Sequence, residues 1–147
     1  MPYTIRPPRA PDLEVVRRLL EAAKLPLDGL EDQFGERYVV AESPQGLIGV
    51  EGIELYGHYG LLRSAVVDPA WRGKRVGEAL TRERLAWART QGLRAIYLLT
   101  TTAADYFPRF GFQVVDRSEV PREIRGSREF SSACPESAVV MRLGIAD

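Results

Sequence analysis

The segment from Val66 to Gly77 constrains the fold and the chemistry of this chain more than any other. It reads Val-Val-Asp-Pro-Ala-Trp-Arg-Gly-Lys-Arg-Val-Gly: a β-branched strand end, a turn marked by proline, and a basic loop that opens an amphipathic helix. The first backbone amides of a helix lack partners within the helix, and the helix dipole adds positive potential there. Arg72, Lys74 and Arg75 add three cations. The segment therefore predicts a binding site for an anion such as a phosphate.

The composition describes one ordinary domain, spanning residues 1–147. With 45% hydrophobic residues, a chain of 147 residues is large enough to bury a single core. Lys plus Arg and Asp plus Glu both total 20, which argues against a general binder of nucleic acid or membrane surfaces. The single cysteine excludes an internal disulfide, and no apolar run approaches the roughly 20 residues of a membrane span. Because the chain starts without the apolar stretch of a signal peptide, we expect a cytoplasmic protein; a homodimer is compatible with this sequence.

The spacing of apolar residues predicts a sheet with flanking helices. The predicted strands are residues 3–6, 38–41, 47–50, 60–67, 95–99 and 138–143. The predicted helices are residues 13–23, 27–34, 76–92, 121–125 and 127–130. Turn residues between the second, third and fourth strands predict an antiparallel meander, and the continuous apolar run at 95–99 predicts a buried strand parallel to 60–67. On the third helix we expect Ala79, Leu80, Ala86 and Trp87 to face inward, and we interpret Glu83 on that face as a paired carboxylate.

The segment that ends at Gly77 resembles the first signature of the GCN5-related N-acetyltransferases, the GNAT superfamily. That signature is Gln/Arg-x-x-Gly-x-Gly/Ala after a strand ending Val-x-Pro, and Arg72 and Gly77 fill its outer positions. Arg75 occupies the middle glycine position, where the family keeps the pyrophosphate-binding loop bare. Other nucleotide motifs fit less well, because Gly73-Lys74 is not followed by Ser or Thr and two glycines do not make a dinucleotide fingerprint.

A second segment, residues 100–112, resembles the other GNAT signature, Asn-x-x-Ala-x-x-x-Tyr-x-x-x-Gly-Phe. Its alanine and its Gly-Phe pair match, whereas Thr100 stands in the asparagine position. Phe107 stands in the position of the tyrosine that usually donates a proton to the departing thiolate. Tyr106 is one position earlier, and on a helix one position turns a side chain by about 100°. The proton donor is therefore either Tyr106, in a locally different register, or water.

The resemblance implies an α/β (α+β) GNAT fold: a mixed, mostly antiparallel sheet of six to seven strands, flanked by helices and splayed at the acetyl-CoA site. It also implies acetyl-CoA as co-substrate, no metal, and direct acetyl transfer to an amine in a ternary complex. Backbone amides of Val66 or Val67 would bind the pantetheine arm and the thioester oxygen. The loop residues that would bind the cofactor are Arg72, Gly73, Lys74, Arg75, Val76, Gly77 and Glu78.

Two carboxylates on the strand after Gly49 are candidates for the general base. Alternation along a strand puts Glu51 and Glu54 on opposite faces, and Glu54 shares its face with polar Tyr56. We therefore expect Glu54 to be catalytic, with a solvated strand carboxylate as the alternative. Arg63 and Tyr56 are the predicted substrate contacts, because an arginine on the strand that the family turns toward the reacting centre suits a carboxylate-bearing substrate. Pairing of Arg63 with Glu54 or Glu51 across the hairpin is equally compatible with the sequence.

Compared with the GNAT family that the chain resembles, residues 116–137 are an expected insertion before the last strand, which would lie near the substrate mouth of a GNAT fold. With Leu62-Arg63-Ser64 and Thr100-Thr101-Thr102, this insertion is similar to a GNAT subgroup found with arsenic-resistance genes. The acceptor that this implies is a small amine such as an amino acid or a toxic analogue. A non-catalytic CoA-binding sensor or interaction module is the alternative, motivated by the two departures from the signatures. His58 and Cys134, the only histidine and cysteine, lack metal-ligand spacing and an orienting third group for an acyl-enzyme.

Overall fold

The computed structural model describes residues 2–127, 130 and 138–145, which form one seven-stranded sheet with flanking helices. The strands are β1 (Thr4–Arg6), β2 (Tyr38–Ser43), β3 (Gly46–Tyr56), β4 (Tyr59–Val67), β5 (Ala95–Thr100), β6 (Gln113–Val115) and β7 (Val139–Gly144). The helices are α1 (Asp12–Ala22), α2 (Leu30–Gln33), α3 (Val76–Arg89) and α4 (Arg122–Arg125). The strand order is β1-β2-β3-β4-β5-β7-β6, and only β4 and β5 pair in parallel. The predicted mixed, mostly antiparallel sheet and its parallel pair are confirmed.

Alternating residues of the sheet pack against helices on opposite faces. Tyr38 and Val40 of β2 pack with α1 and α2, whereas Val39 and Ala41 pack with α3. Further along the sheet, one side of β5 packs against α3 and the other against α4. The helices α1, α2 and α4 therefore cover one face, and α3 covers the other.

The inward stripe of α3 differs from the predicted one. Its buried positions are Val76, Leu80, Thr81, Arg84, Leu85 and Ala88, and Ala86 is exposed. The expectation that Ala86 faces the core is thus wrong, because two polar residues belong to the buried stripe. Arg84 is buried because its Nη1 donates to the Glu36 carbonyl at 2.9 Å and its guanidinium lies over the Trp87 ring. Glu83 is a paired carboxylate as expected, with its Oε1 2.6 Å from Arg84 Nε.

Two element predictions need adjustment. The helix predicted over residues 27–34 forms only over Leu30–Gln33, after Gly29 with φ of 80°. The edge strand β6 was missed, since its three residues are too few for an alternating pattern to be recognised. The predicted helix at 127–130 lies partly outside the described residues.

The feature that shapes the functional site is a break between β4 and β5. Their parallel pairing covers only Tyr59–Leu61 and Ala95–Tyr97, although both strands continue beyond it. On the other edge of β4, two residues, Ser64 and Ala65, stand opposite Glu51 alone, and Ser64 has φ of 60°. Such a bulge bends a strand and increases its twist. The predicted splay of the strands is present at this position.

Candidate active site

A cavity of about 630 Å³ opens where β4 and β5 separate. It reaches from the loop before α3 to the loop after α1, and the segment that follows β5 closes it from the side. Of the predicted cofactor-binding residues, all except Lys74 line this cavity. Arg63 and Tyr106 line it too, whereas Glu54 and Tyr56 do not. The structure therefore gathers most, but not all, of the predicted site.

The basic loop reaches the cavity through a capped turn. The Asp68 carboxylate accepts a hydrogen bond from the Ala70 amide at 2.9 Å and starts a 3₁₀ turn that buries Trp71. The following residues are exposed, and two of them, Gly73 and Arg75, have φ values of 79° and 62°. Arg75 thus adopts the left-handed conformation that glycine adopts easily, at a cost of roughly 1–2 kcal/mol for an L-residue. The backbone keeps the shape that the missing glycine would give.

The first turn of α3 offers unpaired backbone donors. The first intrahelical bond runs from the Ala79 amide to the Arg75 carbonyl, and among the described residues no side chain caps the helix. The Cβ of any residue replacing Gly77 would lie 3.5 Å from Tyr106 Oη and 3.6 Å from Val67 Cγ2, so this turn lies against the cavity wall. Free amides, a helix dipole and neighbouring cations fit the pyrophosphate of a CoA thioester.

Glu51 is a site residue that sequence reasoning left aside. It is 1% exposed, lines the cavity, and accepts a hydrogen bond from Thr81 Oγ1 at 2.8 Å through Oε1. Its Oε2 is buried without a hydrogen-bond partner in the described part of the chain. Burial raises the pKa of Glu51 to about 8, and the Thr81 hydrogen bond opposes that rise. Alternation along β3 could have pointed to Glu51 as a site residue. Glu51 shares its face with Gly49, and Gly49 lies against α3, the helix that follows the anion loop.

Tyr106 carries a hydroxyl into the cavity, while Phe107 packs into the core against Phe112. The chain turns after β5 because Thr100 Oγ1 accepts a hydrogen bond from the Ala103 amide at 2.9 Å. The residues that follow form turns and a short 3₁₀ helix, so the angular offset of an α-helix does not apply. Burial first, and the charge of Glu51 second, raise the pKa of Tyr106 above 10. The Tyr106 phenol therefore stays protonated at neutral pH.

Glu54 is placed away from the cavity, which corrects the expectation that its face is the reactive one. It is 1% exposed, and its two oxygens accept hydrogen bonds from Tyr38 Oη at 2.8 Å and Tyr56 Oη at 2.6 Å. Arg63 Nη1 lies 3.5 Å from the same carboxylate. The alternation was predicted correctly, but Glu51 lines the cavity and Glu54 does not. Tyr56 is half-buried in the same cluster and does not line the cavity, so its position does not match the predicted substrate contact.

Arg63 lines the cavity but uses its guanidinium to hold the loop after α1. Its Nη2 donates to the Pro26 carbonyl at 2.8 Å, its Nη1 donates to the Asp28 carbonyl, and its Nε donates to Ser64 Oγ at 3.1 Å. With the Glu54 pair, these contacts favour the cross-strand alternative over a free substrate-binding arginine. The loop that Arg63 holds contributes Lys24, Leu25 and Pro26 to the cavity wall.

The other singled-out residues lie elsewhere. His58 is in the exposed turn between β3 and β4, and Cys134 lies outside the described residues. Within the described ranges, no cluster of three or more His, Cys, Asp and Glu side chains is arranged to hold a metal ion. In the same part of the chain, no helix is both long and apolar enough to cross a membrane.

The sequence and the fold agree on the family. Residues 34–114 match the family model described as an acetyltransferase (GNAT) domain. The chain belongs to the GNAT acetyltransferases; it is an acyltransferase with acetyl-CoA as its acetyl donor. The matched region runs from the loop before β2 to β6 and so includes both strands that separate at the cavity.

Three relatives illustrate this membership. The uncharacterized protein YwlB of Bacillus subtilis (strain 168) is 29% identical over 145 residues, which is 95% of this chain and 96% of that protein. The N-acetylglutamate synthase of Neisseria gonorrhoeae, complexed with coenzyme A and N-acetyl-glutamate, has a TM-score of 0.83 at 19% identity; the match covers all of this chain but 36% of the synthase. Rv2747 from Mycobacterium tuberculosis, in complex with CoA, has a TM-score of 0.82 at 23% identity, covering 97% and 99% of the two chains. The structural likenesses show a shared fold.

Proposed function

We propose that this protein transfers the acetyl group of acetyl-CoA directly to the amine of a small, carboxylate-bearing substrate in a ternary complex. One observation carries the proposal: a single cavity connects the anion site at α3 with the loop after α1, across the break between β4 and β5. Donor and acceptor can therefore meet in one space without an acyl-enzyme. Holding two reactants in the right geometry removes much of the entropic barrier to reaction.

The backbone of β4 supplies the polarising group in this proposal. The Asp68 amide donates to the Ile48 carbonyl of β3, and Val66 pairs with Val50 two residues earlier. Because amides alternate between the two edges of a strand, the Val67 amide points away from β3, toward the gap. Of the two amides named from the sequence, Val67 is the one we assign to the thioester oxygen. A donor aimed at developing negative charge in a water-poor site is an efficient form of catalysis.

Tyr106 is the proton donor in this proposal, and the loop residues 72–78 hold the cofactor phosphates. The sensor alternative was motivated by two departures from the GNAT signatures, at Arg75 and at Phe107. Arg75 is exposed and gives the loop a glycine-like backbone, and Tyr106 presents a hydroxyl where Phe107 has none. These features favour the enzyme over the sensor.

The carboxylate-bearing acceptor is supported by charge where the loop after α1 borders the cavity. Lys24 and Arg63 line that part of the wall, and Lys24 is exposed. With the Arg63 guanidinium occupied by the loop carbonyls, Lys24 is the cation we assign to a substrate carboxylate. The structural neighbour from Neisseria gonorrhoeae, whose ligand is N-acetyl-glutamate, is consistent with such an acceptor. Membership of the arsenic-resistance-associated subgroup stays a prediction, supported by the position of Ala138, after the insertion, on the cavity wall.

Thiol release from acetyl-CoA with paired acceptors tests this function. We expect release with amino acids and a marked loss with their carboxamides, because the amides lack the charge that Lys24 would bind. Initial velocities that give intersecting lines support a ternary complex, and parallel lines contradict it. Tight CoA binding without release from any amine in a broad panel would favour the sensor.

A matched pair of variants tests the cofactor site. Arg72 lines the cavity and Lys74 does not, although both are exposed cations of the same loop. We expect Arg72→Ala to weaken acetyl-CoA binding in calorimetry and Lys74→Ala to have a smaller effect. Equal affinities for wild type and Arg72→Ala would show that the site has been placed wrongly.

A further inference from the structure

The cavity wall contains a buried carboxyl group that the proposed reaction does not use. Glu51 is fully buried, yet one of its oxygens, Oε2, has no hydrogen-bond partner in the described part of the chain. Buried polar atoms are nearly always paired, and an unpaired one calls for an explanation. A carboxylate with a single neutral donor is poorly stabilised out of water, so the neutral acid is the favoured form.

Thr81 holds this carboxyl group beside the helical turn that borders Tyr106. Thr81 Oγ1 is 2.8 Å from Glu51 Oε1, and it lies one helical turn after Gly77. The Tyr106 hydroxyl lies 3.5 Å from where a Cβ on Gly77 would be. Both the Thr81 hydroxyl and the Glu51 carboxyl are close enough to act on the pKa of the Tyr106 phenol.

The charged groups that act on the pair lie on α3 and on the segment after β5. On α3, Arg84 lowers the pKa of Glu51 and Glu83 raises it. After β5, Arg109 stacks on the Tyr106 ring at 4.3 Å and favours its ionised form, whereas Glu78 of α3 opposes ionisation. Glu54 and Arg63 belong to the cluster on the opposite face of β3. Glu51 is the buried carboxyl that faces Tyr106.

We propose that Glu51, held through Thr81, is a positioning residue whose protonation state switches Tyr106 between an effective and a poor proton donor. This inference rests on the proposed role of Tyr106 in acetyl transfer. When Glu51 is neutral, it adds no negative charge beside Tyr106, and Tyr106 can release its proton to a departing thiolate. When Glu51 loses its proton, its charge holds the phenol proton more tightly and repels the developing thiolate. Acetyl transfer therefore falls as pH rises through the titration of Glu51.

The pH profile of kcat/KM for acetyl-CoA tests the switch. We expect wild type to lose activity on the alkaline side of neutrality and Glu51→Gln, which is neutral at every pH, to keep its activity to a higher pH. Thr81→Val removes a donor that favours the carboxylate, so its descending limb should also move to higher pH, and Thr81→Ser should keep the wild-type profile. An unchanged limb in Glu51→Gln overturns the proposal. So does a Glu51→Gln enzyme that binds acetyl-CoA normally but is inactive at every pH, because Glu51 would then react directly as a base.

A second measurement separates this inference from the proposed function. Infrared difference spectra of the ligand-free protein between acid and alkaline pH should show a protonated carboxyl group that titrates on the alkaline side of neutrality. The band should be absent from Glu51→Gln and present in Glu54→Gln. Its absence from wild type would overturn the switch even if the enzyme is active. If the band titrates as expected but no acceptor is ever acetylated, the proposed function fails instead.

Discussion

Two buried carboxylates on β3, three residues apart, have opposite surroundings. Glu54 accepts hydrogen bonds from two tyrosines and lies near an arginine, whereas Glu51 accepts one hydrogen bond and its second oxygen has no partner among the described residues. Both are 1% exposed, so burial does not distinguish them. The difference is in the partners, and the partners separate a carboxylate that stabilises the fold from one that is available for chemistry.

The cluster around Glu54 ties distant parts of the chain together. Burial first, and the charge of Glu54 second, raise the pKa of Tyr38 well above 10, so that Tyr38 remains a donor to Glu54 at any ordinary pH. Through Arg63 the cluster reaches the loop after α1, which lines the cavity. Its contribution to the site is therefore indirect: it fixes the shape of the wall at which the acceptor would bind.

Removal of Arg63, the cation of the cluster around Glu54, should have the largest effect on stability. Arg63→Met leaves Glu54 buried without its cation and two loop carbonyls without their donors. Loss of one partner of a buried ion pair costs about 3–5 kcal/mol. We expect the free energy of unfolding in urea to fall by about that amount, with Lys74→Met, an exposed cation, as the control. A loss as small as that of the control would mean that the cluster does not stabilise the fold.

The second-largest effect should be a dependence of stability on pH that comes from Glu51. Its pKa is about 8 in the folded chain against an ordinary value of 4.5, so the folded state binds more protons between these values. Stability is then highest below pH 4.5 with respect to this group and falls as pH rises toward 8, by at most about 1.4 kcal/mol per pH unit. In Glu51→Gln this component of the slope should vanish, which urea unfolding at several pH values would measure. Identical slopes in the two proteins would show that Glu51 titrates normally.

Removal of one tyrosine at a time should show how the satisfied carboxylate depends on its donors. Tyr38 is fully buried and Tyr56 is half-buried. Tyr38→Phe leaves a buried acceptor short of a partner that water cannot replace, at a cost of about 1–3 kcal/mol. Tyr56→Phe should cost less, because water can reach the vacated position. Thermal or urea unfolding would compare the two, and a larger loss for Tyr56→Phe would reverse the assignment.

The smallest effect is expected at the bulge beside Glu51. Ser64 has φ of 60° and accepts a hydrogen bond from Arg63 Nε. Both Ser64→Gly and Ser64→Ala lose that acceptor, but only glycine relieves the left-handed backbone, which is unfavourable by roughly 1–2 kcal/mol for an L-residue. We expect Ser64→Gly to be close to wild type and about 1 kcal/mol more stable than Ser64→Ala. Equal stabilities would mean that the backbone at the bulge is not strained.

The sequence predicted those features that depend on local pattern. Turn residues located the meander, the continuous apolar run at Ala95 to Leu99 located the parallel strand, and the glycine-bearing basic loop named residues that line the cavity. Alternation also separated Glu51 from Glu54 correctly. Which of these two carboxylates borders the cavity depends on where β4 leaves β5, and that is a long-range property without a local signal.

Two further differences have the same origin. Thr81 and Arg84 interrupted the apolar stripe of α3 because their partners, a strand carboxyl and a loop carbonyl, are distant in the chain. Tyr106 could not be placed by counting helical positions, because the segment after β5 turns as a 3₁₀ helix and a bend. Polar residues that are buried by distant partners are where reading from the sequence alone reaches its limit.

The break between β4 and β5 also has a mechanical consequence. Because only three residues of β4 pair with three of β5, the sheet consists of two parts, β1 to β4 and β5 to β7, joined by a short ladder at one end. A molecule bound in the gap takes the place of the missing ladder and holds the two parts together. We therefore expect acetyl-CoA to stiffen the whole sheet, with slower amide hydrogen exchange at Val67 and along the far end of β5. The protein would reach its full rigidity only when its donor is bound.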